Sequence, residues 1–373
     1  MRIVLAGGGT GGHLYPALAV ARGIKERFPE AEILFVGTNR GLESQVVPKE
    51  GFRFSAITAQ GLERRLSWRT VSTLAKTLRG FWESRGILKR FRPDLVFGTG
   101  GYVCAPVLYQ AHRLGIPVII HEQNAYPGVT NRWLSRYADM VLVTFEESRR
   151  RFPRARRIKT TGLPVRPVIF TAEREKAAGE LGLDPKQLTL LSVGGSQGAR
   201  SLNQAMLKVI ERFNRCPGVQ VIQVTGPAGF EDTVAALSER GLNPGEKGNI
   251  KIIPYAHDME NALAAADLIV CRAGASTLAE ITVRGIPSIL VPYPFASENH
   301  QEYNARALER AGAAEVLLDR DLNGEVLLKA VESILLDQAR REKMAAAALA
   351  AGHPEALPLI LGEVEALLGT GLK

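Results

Sequence analysis

Residues 2–13 read Arg-Ile-Val-Leu-Ala-Gly-Gly-Gly-Thr-Gly-Gly-His, and the fold follows from this stretch. The apolar run at 2–6, with β-branched members, predicts a strand that stops at a glycine-rich turn. Behind the turn, Ala17, Val20, Ala21 and Ile24 fall at helical spacing. Strand, glycine turn and helix in that order open a parallel α/β sheet. Working outward, further strands are predicted at 33–36, 95–97, 118–120 and 140–143, with helical segments between them. The pattern restarts at a strand over 188–193 and a second glycine loop, Gly194-Gly195-Ser196-Gln197-Gly198. Ser201 is expected to cap the helix after that loop. More strands are predicted at 219–225, 250–253, 268–271 and 288–291.

The expected fold class is therefore α/β, with two Rossmann-like domains whose parallel sheets face each other across a cleft. The boundaries predicted are 1–163 and 164–346. Residues 161–167, Thr-Gly-Leu-Pro-Val-Arg-Pro, read as a stiff extended connector because of their two prolines. An amphipathic helix over 354–368, within a C-terminal stretch 347–373, is expected to pack back on the first domain. A chain of 373 residues, 46% of them hydrophobic, supplies two cores.

No uninterrupted apolar run reaches the roughly 20 residues of a membrane span, and the N-terminus lacks a signal-peptide pattern. The chain is therefore expected to stay on the cytoplasmic side. Cys104, Cys216 and Cys271 are too scattered for a disulfide framework or a zinc cluster. The charge is uneven. Residues 1–163 carry 26 Lys+Arg against 12 Asp+Glu, net +14, and the remainder carries 21 against 26, net −5. A basic half faces an anionic partner. With no nucleic-acid motif present, lipid or phosphate is the partner expected, and no nucleic acid.

The first loop satisfies G-x-G-x-x-G at Gly7, Gly9 and Gly12. Such a turn aims backbone N–H groups and a helix dipole at an anion. A dinucleotide oxidoreductase would add an acid at the end of the second strand, and that strand ends Phe35-Val36-Gly37-Thr38-Asn39. No Lys-Ser/Thr follows the glycines, which excludes a P-loop. Gly98-Thr99-Gly100-Gly101-Tyr102 and His121-Glu122-Gln123-Asn124 follow later strands and should reach the same sheet edge. His13, at a helix start, reads either as a capping or buried histidine or as a general base. In the second half, Glu280 reads as a ribose ligand or a solvated carboxylate. Gln301, in a polar loop after a strand, can reach sugar hydroxyls. No Asp-x-Asp pair is placed to hold a divalent ion on a diphosphate. No metal and no cofactor are therefore expected, with helix N-termini and Arg166 neutralising the leaving group.

Taken in order, Gly8 to His13, Gly98 to Tyr102, His121 to Asn124, Thr161 to Arg166, Gly194 to Ala199 and Arg272 to Ser276 resemble the motif series of the MurG family. The resemblance spans nearly the whole chain. It implies a GT-B fold and an inverting, metal-independent transfer in peptidoglycan biosynthesis. N-acetylglucosamine would move from UDP-N-acetylglucosamine to the C4 hydroxyl of undecaprenyl-diphosphoryl-N-acetylmuramoyl-pentapeptide. By the same resemblance, Thr10, Gly11, Gly12 and Asn124 contact the donor sugar, and Arg166 and Ser196 lie near its diphosphate. Glu280 holds the ribose, Gln301 a sugar hydroxyl, Ala256 sits beside the uracil and Ser276 joins the donor site. His13 is the base, and Gly9, Gly100, Gly101 and Tyr102 meet the acceptor diphosphate.

Residues 64–91 suit an anionic inner-leaflet surface. Val71, Leu74, Ala75, Leu78 and Trp82 fall at helical spacing among Arg64, Arg65, Arg69, Lys76, Arg79, Arg85, Lys89 and Arg90. The same stripe could instead pack on the sheet, with Trp68, Phe81 or Trp82 projecting from its edge. Competing readings of the whole chain are another GT-B enzyme, such as a UDP-N-acetylglucosamine 2-epimerase or a natural-product glycosyltransferase, a dinucleotide oxidoreductase, and a non-catalytic sugar-nucleotide-binding module.

Overall fold

The computed structural model describes residues 1–59, 68–242 and 248–369, with the helix over 68–77 described as backbone only. The chain forms two compact units. The first comprises Met1–Val165 and the segment from His353 onward, and the second comprises Arg166–Gly352.

Among the described residues, the first unit has strands β1 (Arg2–Gly7), β2 (Glu32–Gly37), β3 (Arg53–Ala56), β4 (Leu95–Gly100), β5 (Val118–Glu122), β6 (Met140–Val143) and β7 (Ile158–Thr160). Its helices are α1 (Gly11–Arg27), α2 (Glu43–Lys49), α3 (Trp68–Phe91), α4 (Cys104–Arg113) and α5 (Val129–Leu134). The strand order is β3-β2-β1-β4-β5-β6-β7, and every pairing is parallel. Central strands of such a sheet are buried on both faces, so they read as unbroken apolar runs. β1 shows this directly. Ile3 and Leu5 pack with Leu14, Ala17 and Leu18 of α1 on one face. Val4 and Ala6 pack with Leu88 of α3 and Val107 and Leu108 of α4 on the other.

The second unit has strands β8 (Leu188–Val193), β9 (Val219–Val224), β10 (Ile250–Ile253), β11 (Leu268–Cys271), β12 (Ser288–Leu290) and β13 (Ala314–Val316). Its helices are α6 (Pro167–Thr171), α7 (Arg174–Glu180), α8 (Arg200–Phe213), α9 (Phe230–Ser238), α10 (Met259–Ala265), α11 (Ala275–Val283), α12 (His300–Arg310), α13 (Gly324–Leu335) and α14 (Gln338–Ala351). The order is β10-β9-β8-β11-β12-β13, again all parallel. Leu202, Met206, Ile210 and Phe213 of α8 and Leu327, Val331 and Ile334 of α13 close one face of the sheet.

The chain returns to the first unit at His353 rather than near residue 347. α14 stays with the second unit because it packs on α11 and α13. The last helix, α15 (Ala356–Leu368), lies on α1. Its Ile360, Leu361 and Val364 complete the first unit's core. Glu365 is bonded to Arg27 at 3.0 Å, and Glu363 to Lys159 at 2.7 Å. By length and composition, Gln338–Leu368 passes as one apolar membrane-crossing helix. It is broken between α14 and α15 into helices of 14 and 13 residues, each shorter than the roughly 20 residues a span requires.

Among the described residues, three strands escape the sequence pattern: β3, β7 and β13, each at the edge of its sheet. The predicted cap at Ser201 is also corrected. The residue ahead of α8 is Ala199, which has no side-chain cap, and Ser201 instead donates to Asp319 Oδ1 at 2.7 Å.

The connector leaves the first unit through Gly162, whose φ of 80° lies in the left-handed region. A Cβ there would stand 2.1 Å from His353 Cβ, where the chain re-enters that unit. Gly162→Ala should therefore cost on the order of 1–3 kcal/mol. A thermal melt of the variant matching wild type would show that the crossing is not strained.

Candidate functional site

In both sheets the strand order reverses beside the first strand of the unit, between β1 and β4 and between β8 and β11. Loops leaving the C-terminal ends of the two flanking strands part there and leave a crevice.

At the first switch point the turns after β1 and β4 touch through backbone. A Cβ on Gly101 would lie 2.5 Å from Gly8 O, and one on Gly7 would lie 2.0 Å from Thr99 Oγ1. Tyr102 lies over Gly9, with Cε1 3.1 Å from where a Cβ would stand. Thr99 Oγ1 donates to the His13 carbonyl at 2.7 Å. The α1 N-terminus carries no acidic residue in its first turn, and Thr10 makes no side-chain cap. The amides of Gly11 and Gly12 therefore keep the unsatisfied donors of any helix start.

His13 points into this crevice. Its Nδ1 lies 2.9 Å from Thr99 O and 3.1 Å from Gln123 Oε1. Both are acceptors, so Nδ1 carries the hydrogen and Nε2 of the neutral ring is left with a lone pair. Beside it, Glu122 is buried and accepts from Asn124 N at 2.9 Å, Asn124 Nδ2 at 3.2 Å, Gly128 N at 3.1 Å and Asn131 Nδ2 at 2.8 Å. This carboxylate shapes the loop that carries Asn124.

Glu43, absent from the sequence expectations, is buried under the first loop. Its carboxylate accepts from Gly9 N at 3.0 Å, Thr38 N at 2.9 Å and Thr38 Oγ1 at 3.0 Å. Gly8, Gly37 and Gly41 crowd around it so closely that a Cβ on any of them would lie within 2.6 Å of it. The Gly9 amide, expected to meet a diphosphate, is thus already paired with a carboxylate. The Gly100 amide is paired too, with Cys104 Sγ at 3.2 Å. The thiols of Cys104 and Cys271 are pushed up to about 12 by burial, which keeps them protonated and inert.

At the second switch point a cavity of about 710 Å³ opens over the turns after β8, β11 and β12. Ser196, Gly274, Thr277 and Gln301 line it, together with Arg272 and Asp319. Arg272 Nη1 pairs with Asp319 Oδ1 at 2.5 Å and also reaches Val291 O at 3.1 Å, while its Nη2 donates to Ser201 Oγ at 3.1 Å. Gln301 Oε1 accepts from Tyr293 N at 2.9 Å. His300 is not part of the lining; its Nδ1 donates to Ser297 O at 2.7 Å.

The remaining predicted donor residues lie elsewhere. Arg166 is held by two carboxylates, with Nε 3.3 Å from Glu280 Oε1 and Nη1 3.3 Å from Glu260 Oε2. Burial pushes the Glu280 carboxyl up, and Arg166 opposes the shift. Ser276 lies in the first turn of α11, and Ala256 follows the edge strand β10; neither lines the cavity. On α3, Trp82 is 77% and Leu78 57% exposed, whereas Phe81 packs edge-on against Tyr109 of α4 at 5.6 Å. Arg64 and Arg65 lie outside the described residues, as do the side chains of Trp68, Arg69, Val71, Leu74, Ala75 and Lys76.

Two Rossmann-like units, each with its crevice at the strand reversal, define the GT-B class of nucleotide-sugar proteins. Residues 3–143 match the glycosyltransferase family 28 N-terminal domain and residues 189–359 its C-terminal domain. The chain belongs to glycosyltransferase family 28. It is 52% identical over 368 residues, 99% of each chain, to a Desulforamulus reducens protein described as UDP-N-acetylglucosamine--N-acetylmuramyl-(pentapeptide) pyrophosphoryl-undecaprenol N-acetylglucosamine transferase. The crystal structure of Acinetobacter baumannii MurG is 30% identical with a TM-score of 0.80, over 98% of this chain and 99% of that one. A Neisseria meningitidis UDP-GlcNAc 2-epimerase is 13% identical with a TM-score of 0.67, over 98% of this chain and 99% of that one, and shares the fold alone.

His121 makes stability sensitive to acid. Burial pushes its imidazole down to about 4, against an ordinary value near 6.5 in the unfolded chain. Between those values the unfolded chain binds a proton that the folded chain refuses. Stability is thus complete above about pH 6.5 and falls as pH drops toward 4, by on the order of 3 kcal/mol. Urea midpoints at pH 7 and pH 4.5 should separate more in wild type than in His121→Phe. Equal separation would remove His121 as the cause.

Proposed function

We propose that this chain transfers N-acetylglucosamine from UDP-N-acetylglucosamine to the muramoyl C4 hydroxyl of an undecaprenyl-diphosphoryl-muramoyl-pentapeptide, inverting the anomeric centre. The observation that carries the reading is the 52% identity to a transferase of that description along essentially the whole chain. The chemistry of both switch points supports it.

In the first unit, His13 is the base. With Nδ1 bonded to Thr99 O and Gln123 Oε1, Nε2 accepts the proton of the acceptor hydroxyl while that oxygen bonds to the anomeric carbon. The bond from that carbon to the diphosphate breaks on the opposite face, and its electron pair leaves with UDP. Gly101 and Tyr102 serve the acceptor diphosphate, and Thr10, the α1 amides at Gly11 and Gly12, and Asn124 serve the donor sugar. Gly9 and Gly100 act as shape, because their amides are occupied. In the second unit, the α8 N-terminus behind Ser196 receives the donor diphosphate. Gln301 offers its NH2 to a hydroxyl, and Arg166 holds Glu280 for a ribose diol rather than holding the diphosphate itself.

A transfer assay with the labelled donor and a short-chain acceptor, run with EDTA present, tests this. Turnover should persist, and His13→Ala should lower kcat by roughly 10²–10⁴ while KM for the donor changes little. Wild-type turnover in that variant would mean another group takes the proton.

The acceptor's lipid calls for work at a membrane surface, and the cytoplasmic face is the location we assign. Exposed Leu78 and Trp82, beside Arg79, Arg85, Lys89 and Arg90, form an apolar and basic surface on α3 suited to anionic lipid. Vesicle flotation should recover less Trp82→Ala than wild type, with the gap widest on anionic vesicles. Equal recovery on both compositions would end that assignment.

A further inference from the structure

Behind His13 runs a chain of hydrogen bonds whose direction is forced at its far end. The Gly162 carbonyl can only accept, and His121 Nε2 lies 2.9 Å from it. The His121 ring is fully buried and neutral, so its one hydrogen is on Nε2 and its Nδ1 is bare. One end of the Gln123 amide lies 3.2 Å from that bare Nδ1 and 3.0 Å from the His121 carbonyl. Both neighbours are acceptors, so this end is the NH2 group, and both of its hydrogens are used. The other end, Oε1, then faces His13 Nδ1 at 3.1 Å. An amide oxygen cannot donate, so the hydrogen between them belongs to His13.

We propose that His121 and Gln123 are positioning residues, forming a one-way relay from the Gly162 carbonyl that holds His13 in the tautomer with Nε2 bare. The consequence for turnover rests on His13 being the base; the tautomer itself does not. The Thr99 carbonyl favours the same tautomer. The contribution of His121 is to stop the Gln123 amide from flipping. Flipped, the amide would present N–H to His13 Nδ1 and set itself against Thr99. The relay begins at Gly162, close to the end of the first unit's N-terminal segment at Val165. The left-handed backbone at Gly162, kept to glycine by His353, aims that carbonyl at His121.

The test is ¹⁵N NMR of the full-length chain labelled at its six histidines. The His13 and His121 signals are assigned by their loss in His13→Ala and His121→Phe. At neutral pH, wild type should show His121 protonated at Nε2 alone and His13 protonated at Nδ1 alone. In His121→Phe, the His13 tautomer should become mixed or reversed. There kcat should fall about tenfold to a hundredfold, with KM for UDP-N-acetylglucosamine little changed. A wild-type His13 protonated at Nε2, or a His121→Phe protein that keeps the wild-type tautomer, overturns the relay. If His121→Phe does not fold, the wild-type His13 signal, assigned from His13→Ala, decides alone, because protonation at Nε2 breaks the chain. Predicted tautomers combined with full turnover in His13→Ala would defeat the base assignment and leave the relay standing.

Discussion

A Cβ at Gly7 or Gly101 has no room where the chain after β1 meets the chain after β4. Gly7, Gly8 and Gly101 meet Thr99, Glu43 and Gly8 O at distances that only a missing Cβ allows. That close approach puts the His13 ring against the Thr99 carbonyl. Everything assigned to the first unit depends on it. A larger residue would separate the turns, and His13 would lose one of the acceptors that set its tautomer. Glu43 holds the arrangement from below by accepting the Gly9 amide. In a dinucleotide enzyme an acid in this neighbourhood serves the ribose. Here the acid is consumed by the protein's own backbone, so the loop keeps its shape without a ligand.

The second unit reaches a similar crevice by different means. Its glycine loop lies at the same topological position but meets the backbone of the turn after β9, where a Cβ on Gly198 would stand 2.0 Å from Thr225 O, and the Arg272–Asp319 pair and Ser201 add to the cavity wall. Arg272 is held by carbonyls and a carboxylate in a fixed orientation, so its charge is largely neutralised before any ligand arrives. Arg166 is likewise committed to Glu260 and Glu280. Of the two arginines that line the cavity, Arg272 is paired internally, so the remaining positive potential comes from Arg200 and from helix starts, above all α8. An oriented set of amides suits a diphosphate that must bind and then leave.

The sequence alone determined the order of strand, glycine turn and helix, and with it the two parallel sheets. It also determined which loops reach the switch points. These features are local. An unbroken apolar run is what a strand buried on both faces requires, and β6 and β11 show it within the residues so predicted. The tertiary structure decided what depends on pairing across distance. The edge strands Arg53–Ala56, Ile158–Thr160 and Ala314–Val316 have one neighbour each and partly buried faces, so they carry no continuous apolar signal. Glu43, Asp319 and the His121–Gln123 pair acquire their roles from partners 34 to 110 residues away. The return of the chain at His353 was decided by which helices α14 packs against. Residue order can state that a histidine begins a helix. Only the carbonyls and amides gathered around its ring decide which nitrogen holds the proton.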